Sequence, residues 1–442
     1  MGLEQEIARV GREIAGAFPA RRRHPLRALD DKAAEVAARD AELRAALFRF
    51  IDVTPACRSL DDLARHLVGF LDQVHEPPGS LAGVRHVGHT RAGRAALGAV
   101  AAAGVRHMAH RFIVGETPAD VIGLIRSLWE RGIGVSLDLL GEATVTAAEA
   151  DRYAERCADA LGELAESHRG WPPRPILERD SIGPIPRANL SVKVSALTPL
   201  LRPEAPEPGQ RDAAGRLRGL LRAARELDAH LHVDMESLDT RDAVLELMFE
   251  LLDEEEFARG PSTGVVLQAY LRDSAVQLER LLAWARGSPG TPPVVVRLVK
   301  GAYWDHEVME ARQHGWPSPV FEDKAQCDRN FEALTRTLLD ARPAVRVALG
   351  SHNLRSLAHG VAYNRLTGGG DADLELQVLR GLGDDLQDAL AACGLRVRTY
   401  CPVGDLVAGM AYLVRRLLEN TANESFLQES RAAPLEELLA AP

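Results

Sequence analysis

Ionisable and amide side chains punctuate the apolar, β-branched runs of the carboxyl-terminal two thirds of the chain. They are Asp138 and Glu142, Lys193, Asp234 and Glu236, Gln268, Arg297 and Lys300, Ser351-His352-Asn353, Glu375 and Gln377, and Tyr400. Each has an ordinary reading alone. Lys193 could be an edge-strand lysine facing solvent, Asp234 a helix cap, Arg297 a structural partner of Asp234 or Glu236, and His352 a satisfied core residue. Together they say more. An ionised group inside an apolar strand must be paired or serve a ligand, because burying it alone costs several kcal/mol. A shared ligand-binding mouth accounts for all of them at once. A second set is Arg415 and Arg416 in LVAGMAYLVRRLLENTANESF. Neighbouring helical residues diverge by about 100°, so two such guanidinium groups can meet one carboxylate only from two sides, as a clamp. A surface pair of Arg415 with Glu419 at i,i+4 is the ordinary alternative.

Elements must hold these groups in place. Eight short strand-like runs alternate with helical stretches: GVSLDLLGE (134–142), NLSVKVSAL (189–197), HLHVDMES (230–237), TGVVLQAY (263–270), PVVVRLVKGAY (293–303), RVALGSHN (346–353), DLELQVLRG (373–381) and RVRTYCPVG (396–404). That alternation over some 300 residues predicts an α/β fold of (βα)8 TIM-barrel type, whose chemistry lies at the carboxyl ends of the strands. A doubly wound sheet fits less well, since no strand–GxGxxG–helix unit occurs. Gly368-Gly369-Gly370-Asp371 precedes a strand and reads as a loop. Residues 1–130 carry apolar positions at helical spacing, as in SLDDLARHLVGFLDQVH, and read as a helical amino-terminal arm. The division expected is 1–130 arm, 131–430 barrel and 431–442 tail.

Composition narrows the function classes. The chain has 442 residues, 46% hydrophobic and 26% charged, with a formal charge of −10. Such acidity argues against nucleic acid as a partner. Cys57, Cys157, Cys327, Cys393 and Cys401 form no CxxC pair, so neither a disulfide frame nor a metal site is expected and the reading is cytoplasmic. No cleavable leader is recognised after Met1. The longest small-apolar run, 95–105, cannot span a bilayer, so any membrane attachment is expected to be peripheral, at the inner face.

DLLGEA (138–143), SVKVSALTP (191–199), VDMES (233–237), VVLQAY (265–270), RLVKGAYW (297–304), GSHN (350–353), ELQVLRG (375–381), YCPVG (400–404) and AYLVRRLLENTANESF (411–426) stand in one order over about 290 residues. In these blocks the chain resembles the proline dehydrogenase portion of the bifunctional proline utilisation A family. The resemblance implies FAD-dependent oxidation of L-proline to 1-pyrroline-5-carboxylate, the first step of proline catabolism, with electrons passed to a membrane quinone. A 1-pyrroline-5-carboxylate dehydrogenase is the implied protein partner. It implies Asp234 and Arg297 as the catalytic pair, with Arg297 near flavin N5. Arg415 and Arg416 would clamp the proline carboxylate beside Lys193, Tyr400 and Leu379 would line the pyrrolidine ring, and Glu142 would pair with Arg415. Met235, Gln268, Lys300, Gly301, Ala302, Ser351 and His352 would contact FAD, Trp304 would pack on the adenine, and Glu419 would buttress the arginine helix on the cofactor side. Ser351 stands where relatives often carry threonine. The sequence shows neither an aldehyde dehydrogenase region nor a basic DNA-binding segment. Rival readings are a Schiff-base aldolase using Lys193 or Lys300, a flavin barrel of the methylenetetrahydrofolate reductase type, and a non-enzymatic helical scaffold.

Overall fold

The computed structural model describes residues 2–19, 40–75, 83, 87, 90–141, 144–287, 292–405, 409 and 434–442. Two compact units share the chain: one of residues 1–19, 117–403 and 433–442, the other of residues 20–116 and 404–432.

The first unit is a closed barrel of eight parallel strands in sequence order: β1 (Ile133–Leu139), β2 (Asn189–Val192), β3 (His230–Val233), β4 (Ser262–Gln268), β5 (Val294–Val299), β6 (Val345–Gly350), β7 (Leu374–Leu379) and β8 (Val397–Val403). Closure is made by β8 on β1, in register from Ile133–Val397 to Leu139–Val403. All seven residues of β1 are buried. This suits a parallel strand covered on both faces, and it explains the near-continuous apolar runs in the sequence. Helices follow β1 to β7 on the outside, among them Ala147–His168, Pro206–Glu226, Leu238–Leu252, Lys324–Asp340 and Leu354–Leu366. Their starts are written locally. Thr146 and Glu149 form a capping box, and Ser237 and Asn353 accept from the first free amides of their helices.

The helix Leu3–Gly16, which the sequence alone groups with the amino-terminal arm, packs on the barrel helix Leu354–Leu366. Its buried face is Ile7, Val10, Gly11 and Ile14. Arg355 ties both chain ends to this spot. It donates to Glu4 at 2.7 and 2.8 Å, to Glu332 at 2.8 Å and to the Leu439 carbonyl at 2.9 Å. The helix Pro118–Glu130 also belongs to this unit and leads directly into β1.

The second unit contains the helices Ala41–Val53, Leu60–Leu71 and Arg91–Phe112. Leu43, Ala46, Leu71 and Val74 form its apolar centre. Gly98 lets one helix approach closely, since a Cβ there would lie 2.0 Å from the Leu60 carbonyl oxygen. Among the described residues no helix is long and apolar enough to cross a membrane.

Candidate active site

Strand order brings together at the barrel mouth residues that lie up to 262 positions apart. Asp138 is the penultimate residue of β1, Lys193 immediately follows β2, Asp234 immediately follows β3, and Arg297 and Tyr400 lie within β5 and β8. Asp234 is the hub. One carboxylate oxygen accepts from Arg297 Nη1 at 2.5 Å and the other from the Tyr400 hydroxyl at 2.6 Å. Lys193 Nζ donates to Asp138 at 2.6 Å and stands 3.8 Å from Asp234. Two residues unflagged by the sequence, Ser191 and Ser136, accept from Arg297 Nη2 at 3.1 and 3.4 Å. They are small polar residues on neighbouring strands, and only the register 137↔190 and 138↔191 reveals that they converge. The Arg297 guanidinium carbon also lies 5.3 Å from the Tyr400 ring centroid.

Electrostatics follow from this geometry. Burial alone would push the Lys193 ammonium down, but the carboxylates of Asp138, Asp234 and Glu236 outweigh it and hold the group well above the ordinary lysine range. A Schiff-base lysine needs the opposite shift, so the aldolase reading loses its amine at 193. Tyr400 is held far above the ordinary phenol range, first by burial and then by the charges of Asp138 and Asp234. It therefore donates to Asp234 as a neutral hydroxyl.

A second group lines the rim after β4 to β7. His352 Nε2 accepts from the Leu379 amide at 3.0 Å, which fixes its tautomer with the proton on Nδ1. The Ser351 amide bonds the Gln377 carbonyl. Lys300 is ion-paired with Asp328, a partner the sequence did not signal. Gly301 sits at φ 140°, and a Cβ there would come within 2.4 Å of the Tyr270 ring. Only glycine meets both demands without strain. Met235 and Ala302 border Asp234 and Gly301 in the chain, Met235 being buried. Trp304 starts the helix Trp304–His314, exposed, with its indole N–H on the Phe321 carbonyl at 2.9 Å. Glu142, Arg415, Arg416 and Glu419 lie outside the described residues.

The structure corrects one grouping. Gln377 does not join the mouth, and neither does Glu375. It is the second residue of β7, at the amino-terminal end of the barrel, where it accepts from Gln377, Arg396 and Arg398 at 2.7, 3.1 and 2.9 Å. Asp234 does not cap the following helix either; Ser237 does.

The mouth keeps buried polar atoms that a bound group could satisfy. Gln268 is 3% exposed, and its side-chain oxygen has no hydrogen-bond partner among the described residues; the same holds for Arg297 Nε. Buried polar atoms are rarely left so, and a bound group offering both a donor and an acceptor would satisfy the pair.

Comparison with known proteins identifies the family and the fold. Residues 121–429 match the family model described as proline dehydrogenase, and residues 4–112 match that of the proline utilization A N-terminal domain. The bifunctional protein PutA of Salmonella typhimurium is 33% identical over 76% of this chain and 25% of its own length. Proline dehydrogenase of Deinococcus radiodurans is 29% identical over 73% of this chain and 89% of its own. A crystal structure of proline utilization A from Bdellovibrio bacteriovorus, inactivated by N-propargylglycine, superposes with a TM-score of 0.90 at 34% identity, covering 100% of this chain and 44% of that one. The chain thus spans about a quarter of the length of the curated bifunctional relatives it matches. It belongs to the proline dehydrogenase family, as a barrel preceded by residues of the proline utilization A amino-terminal type.

Proposed function

We propose that the chain oxidises L-proline to 1-pyrroline-5-carboxylate with FAD as cofactor. The observation that carries this is the buried Lys193–Asp138 and Arg297–Asp234–Tyr400 array at the carboxyl ends of the strands, in a chain of this family. Arg415 and Arg416 take the substrate carboxylate, with Lys193 beside them, and a bidentate clamp fixes ring orientation as well as charge. Glu142 pairs with Arg415, and Leu379 and Tyr400 line the pyrrolidine ring. The ring carbon next to nitrogen loses hydride and the nitrogen loses a proton, giving the C=N bond of the product. Bound FAD supplies the two-electron acceptor for that hydride. Arg297 is held rigid by Asp234, Ser191 and Ser136, so its positive charge is oriented before reaction begins, where electron density arrives. Gln268, Lys300, Ser351 and His352, with the backbone at Met235, Gly301 and Ala302, are the residues to hold the cofactor. Trp304 is suited to its adenine, and Glu419 to bracing the arginine helix.

Electrons then pass to a membrane quinone. The support is that the sequence contains no GxGxxG unit for a pyridine nucleotide. The encounter is peripheral and transient, at the cytoplasmic face, and a 1-pyrroline-5-carboxylate dehydrogenase receives the product. The test is an anaerobic absorption spectrum of the purified protein. L-proline bleaches the flavin bands, D-proline leaves them, and a short-chain ubiquinone restores them while NAD does not. A protein that stays colourless after incubation with FAD overturns the reading. Bleaching by NADH and not by proline points instead to a reductase of the methylenetetrahydrofolate type.

A further inference from the structure

The opposite end of the barrel carries a charged cavity that the proposed oxidation does not use. Its lining includes Asn189 and His230, the first residues of β2 and β3, with Arg346 and Glu375, the second residues of β6 and β7, and Arg396 and Arg398 at the start of β8. All six are buried, from 2 to 6% exposed, with Arg396 at 2% and Arg398 at 3%. The space holds the centre of one water-sized guest, about 10 Å³.

The ion pairs around it do not balance. Arg346 donates to Asp180 at 2.8 and 3.2 Å and to the Pro184 carbonyl at 3.1 Å. Arg396 donates to Glu375 at 3.1 Å, to Asp180 at 3.5 Å and to the Ala372 carbonyl at 2.8 Å. Arg398 donates to Glu375 at 2.9 Å and to the Val135 carbonyl at 3.0 Å. Three guanidinium groups thus share two carboxylates. One nitrogen of each, Nη1 of Arg346 and Nη2 of Arg396 and Arg398, takes no part in these bonds. The nearby Arg342 is matched by Asp373 at 3.8 Å and leaves the count unchanged. His230 adds no compensating charge of either sign, since burial lowers its pKa to about 3 and it bonds Ser262 and His232 as a neutral ring. Finally, the Asn189 side-chain oxygen has no hydrogen-bond partner among the described residues. Half a turn of that amide exchanges the unpartnered oxygen for the Nδ2 donor.

We propose that the barrel floor binds one small inorganic anion of the halide class, held by Arg346, Arg396 and Arg398. A buried excess positive charge seeks a counter-ion, and here three arginines line a space with room for one water-sized guest. Water fills the same volume but leaves the charge uncompensated. The site is structural, locking the starts of β2, β6, β7 and β8 together, and it is independent of the chemistry at the mouth.

The test uses the whole chain. Protein exchanged into sodium gluconate is titrated with sodium bromide at fixed ionic strength, and Tm is followed. A saturable rise on the order of 2 °C is expected, as binding to the folded state alone requires. Crystals soaked in bromide should show a bromine anomalous peak within the cavity. Asn189→Asp puts a carboxylate where the anion sits, so its Tm should no longer depend on bromide and the peak should vanish. An ordered water with no bromine in the cavity overturns the proposal, as does a bromide-dependent Tm in Asn189→Asp equal to that of the unsubstituted chain. If Asn189→Asp does not fold, the anomalous map of the unsubstituted protein decides alone.

Discussion

Replacing Asp234 by alanine removes the acceptor shared by Arg297 at 2.5 Å and Tyr400 at 2.6 Å. Arg297 is 5% exposed and keeps only the Ser191 and Ser136 hydroxyls, at 3.1 and 3.4 Å. Breaking a buried ion pair from one side costs about 3–5 kcal/mol. Lys193, already tied to Asp138, cannot take over as partner because it is also a cation. At roughly 2 °C per kcal/mol for a chain of this size, Tm should fall by about 6–10 °C. The kinetic effect is greater. Arg297 loses the bond that fixes its reach into the mouth, and a displacement near 1 Å costs about 100-fold, so kcat with proline should fall about 100-fold. FAD per chain should hold, since none of the proposed cofactor contacts other than Arg297 rests on Asp234. Asp234→Asn keeps an uncharged acceptor and should recover part of both losses, neutral bonds being worth about half of charge-assisted ones. The assay is steady-state turnover with a dye acceptor, beside flavin absorbance per chain and a melting curve. A folded, flavin-loaded Asp234→Ala protein with unchanged kcat would refute the assignment, and so would loss of FAD in step with kcat.

Arg416→Met should raise KM for proline about 30- to 150-fold, or about 2–3 kcal/mol, with flavin content unchanged; an unaltered KM makes Arg416 a surface residue. Gly301→Ala combines a left-handed backbone with a contact 2.4 Å from Tyr270, so stability should drop by at least about 1–3 kcal/mol. Adding Tyr270→Ala should return only part of this, because the backbone strain stays. Burial lowers the pKa of His168 from 6.5 to about 4. Its contribution is thus complete above pH 6.5 and lost as pH falls toward 4, where the unfolded chain takes up the proton first. In urea melts, His168→Gln should flatten the stability slope between those pH values by about 1.4 kcal/mol per pH unit, and an identical slope counts against a neutral buried ring.

All eight strands were legible as apolar runs, and their order followed from short alternation with helices. The ends were less so. NLSVKVSAL reads as one strand to residue 197, yet β2 stops at Val192 and Lys193 opens a short 3-10 turn. That small shift lets the lysine reach Asp138. Glu375 was misplaced because strand periodicity tells which way a side chain points and not at which depth it sits. Depth depends on the stagger between strands, set here by pairings such as Leu376 with Val397. The floor arginines carried a readable signal, Arg396 and Arg398 one alternation apart at the start of a strand, but their acidic partners lie on distant segments. Nor does the amphipathic pattern of Leu3–Gly16 name the surface it covers.

The meeting of both chain ends at Arg355 also sets an order in time. Glu4 leaves the ribosome 351 residues before the arginine it will bind. At synthesis rates of about 5–20 residues per second, the nascent helix waits some 20–70 s with Ile7, Val10 and Ile14 uncovered. Leu439, which packs on Gly11, emerges later still. The helix Leu3–Gly16 is therefore made long before the surface it covers, and during that interval its apolar face has no partner from the barrel.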